Sequence, residues 1–160
     1  MPVNTRMRSS LLEVASLVAM LAVPARGQQI TAPFNYAAKI VCGTQREAQG
    51  VVPQPYMTTV NVHNPSDSVA TFFKTLLVTL PPGGQRPTPP MRPMTDTLRP
   101  QMGLATDCTD LRRRYPNVPP FFEGFVLLQS RVSLDVVAVY TVPGGIDVVH
   151  VPERVRSIRQ

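Results

Sequence analysis

The chain is 160 residues long with a formal net charge of +6. That length points to one domain and excludes a large multidomain enzyme. Proline fills 18 of the 160 positions, roughly twice the usual 5%. Because each interior proline removes a hydrogen bond and clashes with the preceding turn, long uninterrupted helices are excluded. A hydrophobic content of 43% excludes a disordered basic tail.

The amino terminus carries Arg6 and Arg8, then an apolar run from Val14 to Val23, then Val23-Pro24-Ala25. A positive start, a short hydrophobic stretch and a small residue at the end form the pattern of a secretory signal peptide. Residues 1–25 are therefore expected to be removed after Ala25, leaving a protein secreted or periplasmic in destination. Glu13 beside the apolar segment and Arg26 beyond the cleavage point fit the pattern less well. An amphipathic helix docked on the domain is one alternative. A retained anchor is another, but the run is shorter than the roughly 20 residues a span needs. Residues 26–33 read as a flexible lead-in and 34–154 as the domain. The last residues, 155–160, read as a polar tail.

FNYAAKIV, starting at Phe34, alternates with period two. Phe34, Tyr36, Ala38 and Ile40 fall on one side and Asn35, Ala37, Lys39 and Val41 on the other, as in a half-buried strand. Residues 44–55 read as a turn-rich loop. YMTTVNVH then points Tyr56, Thr58, Val60 and Val62 inward and Met57, Thr59, Asn61 and His63 outward. Asn64-Pro65-Ser66-Asp67 is a strong turn signal, because Asn, Ser and Asp side chains bond locally and proline fixes φ. The β-branched and aromatic stretch from Val69 to Leu80 follows as a strand. Together these two elements read as an antiparallel hairpin.

PPGGQRPTPPMRP, Pro81 to Pro93, excludes a helix or central strand and reads as a stiff surface crossing with polyproline character. Short elements follow at Met94–Leu98 and Leu104–Cys108, and LRRRYPNVPP returns to loop. Phe121–Ser130 and Val132–Val142 are strands joined by a tight turn at Arg131. Gly124 inside the first of these signals a bulge or a close backbone approach. Pro143-Gly144-Gly145 marks a turn before the last strand, IDVVHV.

Six to eight short strands with no amphipathic helix favour an all-β fold, an antiparallel two-sheet sandwich of Ig-like or related type, with a barrel as the second choice. Cys42 and Cys108 are the two cysteines. In an exported chain an even count implies one disulfide, worth about 4 kcal/mol in loop-closure entropy.

Candidate chemistry is sparse. His63 has Asn64 and Asp67 as neighbours, and His150 has Asp147 and Glu153. These residues are weak metal candidates, since His63, Asp67 and His150 could share a divalent ion only if their strands met. Asp96, Asp107, Asp110 and Glu123 supply carboxylates without a catalytic pattern. There is no nucleophile elbow and no phosphate-binding glycine loop, so no cofactor and no catalytic residue is assigned. Arg112, Arg113 and Arg114, with Arg154, Arg156 and Arg159 near the end, are candidates for a basic surface. Outside the cell such a surface suits an anionic envelope polymer or lipid rather than nucleic acid.

The strings YAAKIVCG (36–43), YMTTVNVHNP (56–65), GFVLLQS (124–130), LDVVAVYTV (134–142) and VVHVPER (148–154) occur in that order. In this the chain resembles a group of small uncharacterised secreted bacterial proteins with a signal peptide and a predicted β-sandwich domain. The resemblance implies a discrete extracytoplasmic domain and carries no catalytic or ligand-binding residue. Three expectations follow. The first is a secreted, non-catalytic structural or interaction module whose partner is an envelope protein. The second is a module binding an anionic polymer or lipid through its arginines. The third is a metal-binding or hydrolytic enzyme built on His63 and His150.

Overall fold

A computed structural model describes residues 33–48, 50–80 and 91–155. The expected signal peptide, residues 26–32 of the lead-in, residues 81–90 of the proline-rich crossing, and Arg156 and Arg159 lie outside the described residues. Nine strands and one short helix follow in chain order: β1 Phe34–Thr44, β2 Pro55–His63, β3 Ala70–Val78, β4 Met94–Leu98, β5 Gly103–Asp107, α1 Cys108–Arg114, β6 Phe122–Ser130, β7 Asp135–Val142, β8 Gly145–His150 and β9 Arg154–Val155.

All pairings are antiparallel. One ladder runs β4-β3-β6-β1, with β9 beside the start of β1. The other runs β2-β7-β8, with β5 on the free side of β2. They join where Gly43 and Thr44, at the end of β1, pair with Tyr56 and Pro55. Gly43 has φ +100° at this corner, a value that favours glycine, and a Cβ there would strike the Pro120 carbonyl. The sheet stays open, with β4 and β8 at its ends, so the barrel alternative does not hold.

The alternation read from the sequence is the burial pattern. Tyr36, Ala38, Ile40 and Cys42 of β1 face inward, as do Thr58, Val60 and Val62 of β2. They meet Phe72, Leu76, Val126, Leu128, Val136 and Ala138 in one core. Polar bonds cross between the layers. The Thr58 hydroxyl donates to the Val41 carbonyl and accepts from the Val41 amide, both at 3.0 Å. The Tyr140 hydroxyl donates to the Lys39 carbonyl at 2.9 Å. The Cys42–Cys108 disulfide pins β1 to the first residue of α1, with a Cα–Cα distance of 5.6 Å.

Two expected connections are different. β2 and β3 do not form a hairpin: β2 pairs with β5 and β7, and β3 with β4 and β6. The Asn64–Ser68 turn is an arch that carries the chain from one layer to the other. Asn64, fully buried, holds it: its amide group donates to the carbonyls of Ser68 (2.7 Å), Leu98 (3.2 Å) and Arg99 (3.2 Å), while its oxygen accepts from Ser66. β6 and β7 are likewise in different ladders, and residues 131–134 arch between them. Here the Leu134 amide donates to the Tyr36 hydroxyl at 2.7 Å.

The stretch read as loop around Arg112 is the helix α1. Asp107 caps it by accepting from the Asp110 amide at 2.7 Å, and Leu111 anchors it in the core. Gly124 is a close approach rather than a bulge: β1 and β6 pair in unbroken register past it, and a Cβ would strike the Leu77 carbonyl. The chain end also gains a strand, because Arg154 and Val155 pair with Asn35 and Phe34.

Candidate interaction surface

β8 is made by the turn before it. Pro143 presets φ, Gly144 supplies φ +81°, and Val142 pairs with Gly145 across the two-residue connection. The register then runs Thr141 to Ile146, Tyr140 to Asp147, Val139 to Val148, Ala138 to Val149 and Val137 to His150. Every residue of β8 is exposed, including Ile146 at 70%, Val148 at 60% and Val149 at 42%.

The direction of its backbone groups follows from one bond. The Val151 amide donates to the Val136 carbonyl at 2.8 Å, so that pair is a hydrogen-bonded one. Antiparallel pairs alternate between bonded and non-bonded. Hence Val149, Asp147 and Gly145 turn their N–H and C=O toward β7, and Ile146, Val148 and His150 turn theirs away. No described strand takes these groups. Residues 145–151 carry neither a lysine nor an interior proline, two of the usual protections of an edge; their one charged side chain, Asp147, sits on the opposite face from Ile146 and Val148.

Ile146 and Val148 share the outer face of their ladder with Val137 and Val139 of β7 and Met57 of β2, which is 49% exposed. On the opposite face Tyr140 lies across from Asp147. Burial pushes the Tyr140 hydroxyl above the ordinary tyrosine value, and the Asp147 carboxylate adds to the shift.

The residues singled out from the sequence have other places. His63 and His150 lie on the same outer face but with β7 between them, about 10 Å apart across the strands. His63 Nδ1 instead meets the Asp135 carboxylate at 3.0 Å, its direct cross-strand neighbour. Asp67 is exposed in the arch. Among the described residues no three histidine, cysteine or acidic side chains gather as a metal site. The four carboxylates singled out with no catalytic pattern are engaged in the framework. Asp96 pairs with the buried Lys74 at 2.7 Å, Glu123 with Lys39 at 2.6 Å, Asp110 with Arg113 and Arg114, and Asp107 caps α1.

Among the described residues the arginines do not converge. The Arg112 guanidinium donates to the carbonyls of Pro119 and Pro120 and lies over the Phe122 ring, 5.3 Å from its centroid. Arg113 and Arg114 are held back by Asp110. Arg154 pairs with Asn35 at the far end of β1 from Gly43, which Arg112 packs against. Gly43 lies eight residues along the strand from Asn35, a distance of about 26 Å.

The exposed edge was missed from the sequence. Its signal was present in IDVVHV, where apolar residues occupy both faces between Pro143 and Pro152 without a charged guard on the strand's outer positions.

No protein-family model matches this chain, and no curated protein matches it. In overall shape it is similar to a solved structure, "Crystal Structure of Thermotoga maritima 1070", with a TM-score of 0.52 and 10% sequence identity. The match covers 80% of this chain and all of the other. A likeness at that identity concerns the fold alone. Among the described residues no helix is long and apolar enough to cross a membrane.

Proposed function

We propose that this protein is a secreted, non-catalytic interaction module of the bacterial envelope or extracellular space, and that it binds by accepting a strand at β8. The observation that carries the reading is the free edge at Ile146, Val148 and His150, flanked by exposed apolar side chains. Strand addition to such an edge takes affinity from main-chain hydrogen bonds and specificity from alternate side chains. The disulfide supports an oxidising compartment, and the amino-terminal pattern supports export. Engagement of the carboxylates in ion pairs and a helix cap leaves the non-catalytic reading ahead of the hydrolytic one. The separation of the arginines weighs against the polymer- or lipid-binding alternative.

The test compares capture of envelope proteins by the native chain and by Val148→Pro, each washed at low and high salt. The Val148 N–H faces away from β7, so proline there removes an edge donor and leaves the β7 ladder intact. Capture that survives high salt and is lost in Val148→Pro is the expected result. Capture that disappears with salt and ignores the substitution would overturn the reading in favour of an electrostatic surface.

A further inference from the structure

We infer that the strand accepted at β8 is β8 of a second copy of this chain, related by a two-fold axis perpendicular to the sheet at Val148. This rests on the reading of β8 as the binding edge. An axis perpendicular to the sheet keeps outer side chains on the outer face, so only residues of like parity can stand opposite one another. Within that set, hydrogen bonding demands that the outward-turned residues pair: Ile146, Val148 and His150. Pro143 and Pro152 bound the usable edge on either side. The register that uses the whole edge therefore places Val148 opposite Val148, and Ile146 opposite His150 in both directions. Each of these three pairs exchanges two main-chain hydrogen bonds, giving a continuous sheet β5-β2-β7-β8 followed by its copy in reverse.

Charge and area set the character of this association. The chain carries +6 overall, but Gly145 to Val151 contains no lysine or arginine and one acidic residue, Asp147. Repulsion therefore arises from the rest of the surface and not at the contact. A six-residue edge is about 20 Å long, and its burial falls short of the roughly 1,200 Å² of a stable interface. The dimer is accordingly a weak, reversible one. Added salt screens the distant repulsion and tightens it, the opposite of what binding to an anionic polymer would do.

Sedimentation over a concentration series tests this with the purified protein in the form the cell accumulates. The native chain is expected to show a monomer–dimer equilibrium that shifts toward dimer as salt rises. Val148→Lys and Val148→Glu each place like charges across the axis and weaken the dimer by about tenfold or more. An equal mixture of the two restores dimer, which also shows that both variants are folded. A native chain that stays monomeric up to about 1 mM overturns the self-pairing, as does a mixture no better than its components. If the native chain is monomeric while capture of an envelope protein still depends on Val148, the partner is wrong and the edge stands. If neither is seen, both readings fall.

Discussion

Asn64 shows how one side chain can hold two layers together. Its amide satisfies three carbonyls from two segments of the chain while its oxygen closes the turn beneath it. Asn64→Ala removes these bonds at a fully buried position, the Arg99 and Ser68 carbonyls keeping the Met102 amide and the Ser66 hydroxyl, and is expected to cost about 2 kcal/mol, read as a lowered urea midpoint with an unchanged slope. Asn64→Asp, which has no donor to offer, should be at least as damaging. The local role of Asn64 as a turn former was legible from Asn-Pro-Ser-Asp. Its place in the core was not, because the carbonyls it serves belong to Leu98 and Arg99, more than thirty residues away.

Titration at this scale bounds the stable pH range. Burial pushes Asp110 up, but the Arg113 hydrogen bond and the charges of Arg114 and Lys74 outweigh it and leave the carboxyl below its ordinary value of 3.8. A lowered carboxylate contributes stability above that value and loses it as pH falls through the folded one. Burial raises the tyrosines 36, 115 and 140 above 10.0. They stay neutral in the fold where the unfolded chain would ionise. Their contribution is whole below pH 10 and is lost as pH rises through the folded values. Denaturant midpoints should therefore be flat between about pH 5 and 9 and fall on both sides.

At the scale of elements, α1 is a helix of seven residues with few means of standing alone. The disulfide at its first residue, the Asp107 cap and the buried Leu111 supply what its length does not. The disulfide spans a sequence separation of 66 residues, and replacing both cysteines by alanine is expected to lower stability by about 2–5 kcal/mol. Thermal unfolding of the double variant, with and without reductant, checks this. The native chain should lose stability in reductant and the variant should not respond.

The strands themselves were legible because period-two patterning is local: β1, β2, β6, β7 and β8 fall where alternation or β-branched runs place them. The pairing partners were not. A turn between two strands suggests a hairpin, and β7–β8 is one, since Pro143-Gly144 spans a two-residue turn. The arch at 64–69 has a turn signal as clear as the hairpin's, and the one at 131–134 is as short as a hairpin loop, but both cross the sandwich, a choice made by core packing rather than by turn chemistry. The helix was hidden for a related reason. Pro116 and the prolines after it announce a loop, and the capping signal at Asp107 to Asp110 sits just after a strand end.

For the whole molecule, the net charge of +6 first suggested a basic binding face. The fold spreads the arginines instead: Arg112 is tied to backbone carbonyls, Arg113 and Arg114 to Asp110, and Arg154 lies at the far end of β1. What it gathers is apolar, along β8 and the outer face beside it. The candidate surface became legible only with the topology in hand, because a strand's exposure depends on where it falls in the sheet order. IDVVHV in a central position would have been core.

The most direct measurement is amide hydrogen exchange along β8, resolved residue by residue, in dilute protein and in the bound state. The dilute protein should show alternation, with Ile146, Val148 and His150 exchanging fast and Asp147 and Val149 slowly. On binding, the three fast amides should become protected while the slow ones change little. Uniform protection along β8 in dilute protein, or three fast amides that stay fast in the bound state, would contradict the assignment of this edge as the binding surface.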